Sequence, residues 1–302
     1  VSLDRYAQVI VFNCPGRRMS RIVYVNGAFE PEEEAKVSVF DRGFLFGDAV
    51  YEVTAVLGGR LVDFDAHLAR LDRSLGEIEI PRPMPDEGLR EVHETLIAEN
   101  QVDEGIVYLQ ISRGSAERDF AYPPSPLPTV VAFTQTRPLV NTPQAETGVD
   151  IITIPDIRWK RRDIKSTSML AQAMGKQEAK ARGAYEAWMV ENGAVTEGTS
   201  SSAFIVDKDG VLRTQPLGPQ ILPGVTRRAI LRLAEEDGVS LEERPFSVAE
   251  AYEAREAFMT AASAFVLPIV TIDGRAIGTG EPGPIARAFR AHYIAEARAA
   301  SA

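Results

Sequence analysis

Only six of the 33 basic residues are lysines, and one of them, Lys165, stands behind Arg158, Lys160, Arg161 and Arg162 in RWKRRDIKSTSML. Lysine condenses with carbonyl compounds and arginine does not, so a lysine kept inside an arginine cluster invites a chemical reading. Nearby cations, and burial, press such an amine towards its neutral, nucleophilic form. The plainer reading is a solvated cluster at a strand end. Glu197 lies in TEGTSSSAF among small and hydroxyl residues. There a carboxylate can face a cationic ring nitrogen, or simply face water on a strand surface. In LPGVTRRAI, Pro223-Gly224 precedes an amphipathic segment, so Val225 and Thr226 fall in a first helical turn. Their free N–H groups, the helix dipole and the Thr226 hydroxyl suit a phosphate, although the stretch also reads as an ordinary helix start. Arg70, in AHLARLDRSL, adds a guanidinium fork that matches phosphate geometry, or is an exposed helix residue. An amine, an acid for a pyridinium and anchors for a phosphate are the parts that pyridoxal 5′-phosphate requires. Its protonated ring withdraws electrons from a carbanion at the substrate Cα.

These residues need elements to hold them. From Ile22 to Phe64 the chain offers short β-rich runs (IVYVNGAF, KVSVF, VYEVTAVL, RLVDF) broken at Asn26-Gly27 and Gly58-Gly59, which predicts an antiparallel meander. Asp65 is placed to cap a helix carrying Leu68, Leu71, Leu75 and Ile78 on one face and stopping before Pro81. A second amphipathic helix presents Leu89, Val92, Leu96 and Ile97, and the strands GIVYLQISRG and LPTVVAFTQ follow. Beyond them come a strand (VDIITI), a helix over about 168–182, and hairpins turning at Asn192-Gly193 and Lys208-Asp209-Gly210. A helix after Gly224, a short strand near Val239, a helix around Ala249, strands AFMT and VLPIVTIDG, and a helix from about Pro284 complete the order. The class is α+β in two modules. The polar stretch RPLVNTPQAETG marks the boundary. This gives an N-terminal extension 1–18, a small N-terminal domain 19–137, an interdomain linker 138–147 and a C-terminal domain 148–302.

Composition narrows the partners. With 302 residues, 45% of them hydrophobic, the chain can bury two cores. A net charge of -10 leaves no basic face for nucleic acid or an acidic membrane, so small molecules are the expected partners. One cysteine, Cys14, permits no internal disulfide and no cysteine metal cluster, which suits a reducing cytoplasm. His67, His93 and His292 show no metal-ligand spacing, so no metal is expected. The apolar run AQVIVF near the start is too short for a signal peptide or a membrane span.

The runs DRGFLFGDAVYEV (41–53), HLARL (67–71), GIVYLQISRG (105–114), DIRWKRRDIKS (156–166), KQEAKARGAYEA (176–187), VTEGTSSS (195–202) and ILPGVTR (221–227) together resemble the fold type IV pyridoxal-phosphate enzymes. Within these the resemblance is greatest to the D-amino-acid transaminases. It implies a small α/β N-terminal domain and a larger β-barrel-like C-terminal one, with the active site between them near a homodimer interface. It also implies that Lys165 forms the Schiff base and carries the proton, that Glu197 partners the pyridine nitrogen, and that Arg70, Val225 and Thr226 hold the phosphate. Ser200 and Ser201 are placed to touch the cofactor. Tyr51 and Arg118 match positions that hold the substrate carboxylate, Val53 lies beside Tyr51 in the same strand, and Arg158 matches a site arginine whose role the resemblance leaves open. Two positions depart from the pattern. Arg118-Asp119-Phe120 puts Phe120 where those enzymes carry a histidine, and MTAASAF (259–265) puts Ala262 in a segment otherwise rich in hydroxyls.

The expected activity is ping-pong transfer of an amino group from a D-amino acid such as D-alanine to a 2-oxo acid such as 2-oxoglutarate. An (R)-selective amine transaminase is the alternative raised by Phe120. A branched-chain L-amino-acid transaminase fits less well, because Val50-Tyr51-Glu52-Val53 stands where that branch carries Phe-Glu-Gly. Tyr51 and Arg118 speak against an aminodeoxychorismate lyase. Lys165 with Glu197 speaks against a cofactor-free binding protein.

Overall fold

The computed structural model describes residues 20–299; the expected N-terminal extension, with Cys14, lies outside them. In the small module, β1 (Ile22–Val25) and β2 (Ala28–Pro31) form a hairpin. Its two turn residues, Asn26 and Gly27, take φ 49° and 100°, the left-handed values that match the strands' twist. A short helix, α1 (Arg42–Phe46), then leads into β3 (Ala49–Leu57) and β4 (Arg60–Leu61), and the helices α2 (Phe64–Glu77) and α3 (Asp86–Glu99) follow. With β5 (Glu104–Ser112) and β6 (Thr129–Thr136) the strands form one antiparallel sheet in the order β2-β1-β6-β5-β3-β4. The expected meander is therefore split, because β6 and β5 insert between the two hairpins. KVSVF is not a strand. It joins no ladder, the Phe40 carbonyl accepting only from the Ala116 N–H at 3.3 Å, and leads to the Asp41 cap of α1, leaving Val39 69% exposed.

Asp63, not Asp65, caps α2, and its φ is 54°. Its carboxylate is turned away to accept from the Tyr293 hydroxyl at 2.6 Å, while Asp65 sits in the first turn, where the helix dipole favours an anion. Leu68, Leu71 and Leu75 of α2 and Leu89, Val92 and Leu96 of α3 pack on Val107, Leu109 and Ile111 to make the small module's core. Alternation along β3 sends Val50, Glu52, Thr54 and Val56 towards these helices and leaves Tyr51 and Val53 on the opposite, half-buried face.

The segment between modules contains α4 (Pro143–Thr147). The large module then runs β7 (Val149–Pro155), α5 (Leu170–Ala181), β8 (Glu186–Glu191), β9 (Ala194–Gly198), β10 (Ser202–Val206), β11 (Leu212–Thr214) and α6 (Val225–Glu236). It ends with β12 (Leu241–Glu243), α7 (Val248–Tyr252), β13 (Glu256–Ala261), β14 (Phe265–Ile272), β15 (Arg275–Ala276) and α8 (Pro284–Ala299). The sheet order is β12-β11-β10-β13-β14-β7-β8-β9, with β15 on β14. β9 and β10 stand five places apart in that order, yet only residues 199–201 join them. The sheet must curl to bring them together, which gives the β-barrel-like shape.

Trp188, Phe246, Ile205 and Met259 fill one face of the curled sheet. On the other, Phe204 and Phe258 stack with 4.9 Å between their centroids, and Phe289 of α8 meets Phe258 edge-on at 6.0 Å. Ala55, Leu57 and Val62 of the small module belong to this second cluster, so the two modules share a core. A cavity left by Phe258→Ala, at a residue with no exposure, is expected to cost about 3–5 kcal/mol. Urea unfolding followed by circular dichroism measures that loss.

Candidate active site

Lys165 lies in the connection between β7 and α5, on a segment that the small module holds by its backbone. The Tyr51 N–H donates to the Lys165 carbonyl at 3.0 Å, the Thr167 N–H donates to Ala49 at 3.0 Å, and the Lys165 N–H reaches the Ser74 hydroxyl at 3.2 Å. This fixes the half-buried lysine with its Nζ 4.1 Å from the centre of the Tyr51 ring. The cations upstream are not the bare charge expected from the sequence. Arg158 pairs with Asp156 and Glu197, Lys160 with Glu191, Arg161 with Glu77 and Asp163, and Arg162 with Asp156 and Glu191. The cluster is a set of ion pairs around the lysine.

Glu197, near the end of β9, is buried at 5% exposure, which excludes the solvent-facing alternative. One carboxylate oxygen takes Arg158 and the other accepts from the Leu222 N–H at 3.1 Å. Burial pushes this carboxyl up, and Arg158 opposes the push. Asp156 grips Arg158 from behind, at 3.0 Å on Nε and 2.7 Å on the terminal nitrogen.

At the other end of the cleft α6 begins at Gly224, with Val225 and Thr226 in its first turn. A Cβ on Gly224 would lie 2.8 Å from the Ser202 hydroxyl, so only glycine lets the helix start come this close to β10. Ser202 sits directly opposite Thr260 of β13, and the turn Ala261-Ala262-Ser263 follows on the cleft wall. The buried hydroxyls of Ser201 and Thr260, both on that wall, have no hydrogen-bond partner among the described residues. Buried polar groups are ordinarily satisfied, so these two mark a place for a polar ligand. Ser200 instead donates to the buried Glu186 at 3.1 Å.

Arg70 is buried against the cleft, not exposed. Its fork is bidentate to Glu52, at 2.8 and 2.7 Å, and a further nitrogen donates to the Pro223 carbonyl at 3.1 Å. His67 Nδ1 lies 2.7 Å from the same Glu52 carboxylate. Burial alone would raise the Glu52 carboxyl, but the Arg70 charge and the Arg70 and His67 hydrogen bonds hold it far below the usual range.

Tyr51 and Val53 line the cleft with Lys165, Arg70, Glu197, Ser200, Ser201, Val225, Thr226 and Ala262, as the sequence grouped them. Arg118 and Phe120 are elsewhere, on the exposed loop between β5 and β6. The Arg118 guanidinium lies 5.4 Å from the Phe46 ring and 5.5 Å from that of Phe120, and makes no ion pair among the described residues. Glu52 and His67 escaped the sequence reading. Their signals were a charge in core-facing register on β3 and a histidine one helical turn before Arg70 on the same face of α2. His292, distant in sequence from other ligand types, comes beside Glu236 and Glu296, whose carboxylates are both paired with Arg232.

A cleft between a small α/β module and a curled sheet, with a lysine, a buried carboxylate and a helix start on its walls, corresponds to one family. A model of amino-transferase class IV matches residues 49–272, and the chain belongs to that family. It is 40% identical over 267 residues to a D-alanine aminotransferase of Bacillus licheniformis, covering 88% of this chain and 93% of that one. Branched-chain amino acid aminotransferase of Escherichia coli shares the fold, with a TM-score of 0.85, 24% identity, and coverage of 91% and 94% of the two chains. A 4-amino-4-deoxychorismate lyase from Pseudomonas aeruginosa superposes with a TM-score of 0.77 at 26% identity, covering 89% and 97%.

The Glu52 network carries a pH signature. Its folded carboxyl is depressed relative to the ~4.3 of an unfolded glutamate, so its stabilisation is complete above that value and fades as pH falls below it. Glu52→Gln removes the charge that Arg70 faces, at a cost of about 3–5 kcal/mol near pH 7. Urea midpoints measured across pH should show the gap between the two proteins narrowing steadily below pH ~4.3.

Proposed function

We propose that the chain transfers the amino group of a D-amino acid, such as D-alanine, to a 2-oxo acid, such as 2-oxoglutarate, with pyridoxal 5′-phosphate held in this cleft. The observation that carries the reading is one cleft walled by Lys165, Glu197 and the start of α6. The similarity to D-alanine aminotransferases supports the D-amino acid as substrate. The residues fit the cofactor: two unpartnered hydroxyls, a helix start opened by Gly224 and a buried carboxylate match a phosphorylated ring with a basic nitrogen.

When bound, pyridoxal 5′-phosphate supplies an electron sink for negative charge at the substrate Cα. Glu197 holds the proton on the ring nitrogen, and the Arg158–Asp156 pair behind it holds Glu197. Val225 and Thr226 offer N–H groups to the phosphate, and Arg70, kept in place by Glu52, adds positive charge at that end. Lys165 Nζ would hold the cofactor between turnovers, and in each half-reaction it would take the Cα proton as general base and return a proton as acid. Two such half-reactions make the ping-pong cycle.

Recognition of the α-carboxylate is assigned to Tyr51 of the cleft wall and to Arg118, with Val53 and Phe120 shaping the side-chain space; the loop of Arg118 and Phe120 lies outside the cleft of its own chain and would serve the cleft of the partner subunit in a homodimer. Arg118 is free to take an anion, and its loop carries unusually exposed apolar residues: Phe120 at 77% and Leu127 at 85%, with Phe44 of α1 at 73%. Such a patch supports a homodimer in which the loop is covered. The single cysteine supports a cytoplasmic setting, and no described helix is long and apolar enough to cross a membrane. Phe120, which can donate no hydrogen bond to a carboxylate, favours a second reading, an (R)-selective amine transaminase.

Lys165→Ala is expected to lower turnover by at least about a thousandfold while leaving the far-ultraviolet circular dichroism unchanged; substantial residual turnover would sink the assignment. Arg118→Ala should lower kcat/KM for D-alanine about 10- to 100-fold, as loss of a charged hydrogen bond implies, and leave (R)-1-phenylethylamine nearly untouched. Equal losses on both substrates would mean that Arg118 does not read the carboxylate.

A further inference from the structure

Behind the cleft, one buried guanidinium holds four main-chain carbonyls. Arg290 of α8, 8% exposed, donates through one nitrogen to the carbonyls of Ala264 and Val266, each at 2.8 Å. Through its other terminal nitrogen it donates to Leu139 at 2.5 Å and Val140 at 2.8 Å, in the segment between modules. The N–H groups of Leu139 and Val140 go in turn to the Glu104 carboxylate, so that segment is pinned on both sides.

The first two carbonyls flank Phe265, whose φ is 59°. A bulky aromatic in that region is strained and persists only where its surroundings over-determine it. Here the surroundings are the Arg290 clamp and the Tyr293 ring, edge-on at 5.3 Å. Phe265 is the first residue of β14, directly after the turn 261–264, and three residues of that turn line the cleft beside Val225 and Thr226. The turn lies at the α6 end, because Thr260 faces Ser202 and Ser202 crowds Gly224.

Ala261 and Ala262 bring no hydroxyl to an anion. What this turn offers to a phosphate is mainly its backbone N–H groups, and their direction depends on how the turn is held. We propose that Arg290 is a positioning residue for the cofactor's phosphate: by clamping the carbonyls on either side of strained Phe265, it aims the backbone of residues 261–263 into the cleft. The proposal rests on the reading of this cleft as a pyridoxal 5′-phosphate site. A merely structural Arg290 would weaken the fold without distinguishing a phosphorylated ligand from its phosphate-free analogue.

The test is titration of the apoprotein with pyridoxal 5′-phosphate and, separately, with pyridoxal, followed by visible absorption. Arg290→Lys, which keeps the charge but loses the fork, should weaken pyridoxal 5′-phosphate binding about 10- to 100-fold, by analogy with the loss of groups that orient the ligands of a bound metal. Its affinity for pyridoxal should stay at the wild-type value. Glu104→Gln, which loosens only the segment between modules, should show the same split at smaller amplitude and serves if the lysine variant does not fold. Unchanged affinity for pyridoxal 5′-phosphate, or equal weakening of both ligands, overturns the proposal. Failure of the wild-type protein to bind pyridoxal 5′-phosphate would instead overturn the reading of the cleft.

Discussion

Lys165 belongs to the large module by sequence and to the small one by hydrogen bonding. Its carbonyl is held by Tyr51, the neighbouring Thr167 is held by Ala49, and its own N–H reaches Ser74. A short bridge between Val50 and Ser166 completes the attachment. The amine is thereby set against β3, while Glu197 and the start of α6 approach from the curled sheet. Relative motion of the modules would separate those groups. The shared cluster of Leu57 and Val62 with Phe204 and Phe258, the Asp63–Tyr293 hydrogen bond and the Arg290 clamp all resist that motion. A large apolar contact of this kind makes two domains behave as one body.

The second organising device is the pairing of buried charge. Removing one partner of a buried pair is far more damaging than the pair is stabilising, so each charge in the cleft wall depends on its neighbour. Arg158 is matched by Asp156 and Glu197, and Arg70 by Glu52. The pairings also divide the labour. Arg70 spends its fork on Glu52, so the proposed phosphate site draws its direct donors from the start of α6 and the 261–263 backbone.

Much of this was legible in the sequence because it is local. The helix start at Gly224, the hairpin at Asn192-Gly193 and the leucine faces of α2 and α3 each follow from residues within a few positions of one another. The grouping of Lys165, Glu197 and Thr226 came from resemblance over long motifs, since no local rule brings residues that far apart together. What escaped was the partner of each charge. Arg161 finds Glu77 at the end of α2, and Arg162 finds Glu191 at the end of β8, so a run that reads as uncompensated cation is paired in place. KVSVF misled for a related reason: alternation describes a surface suited to pairing, and here no strand lies beside it. The loop bearing Arg118 and Phe120 stands outside the cleft of its own chain, a placement that no spacing in the sequence could reveal.

The proposed function has the amine of Lys165 acting on the Cα proton of D-amino acids. Its most direct measurement is a half-reaction: the cofactor-loaded protein is mixed with D-alanine or L-alanine, without an acceptor, and the visible band of the lysine-bound cofactor is followed. D-alanine is expected to bleach the band, and L-alanine to leave it intact on the same timescale. Bleaching by L-alanine at an equal or greater rate would contradict the proposed function.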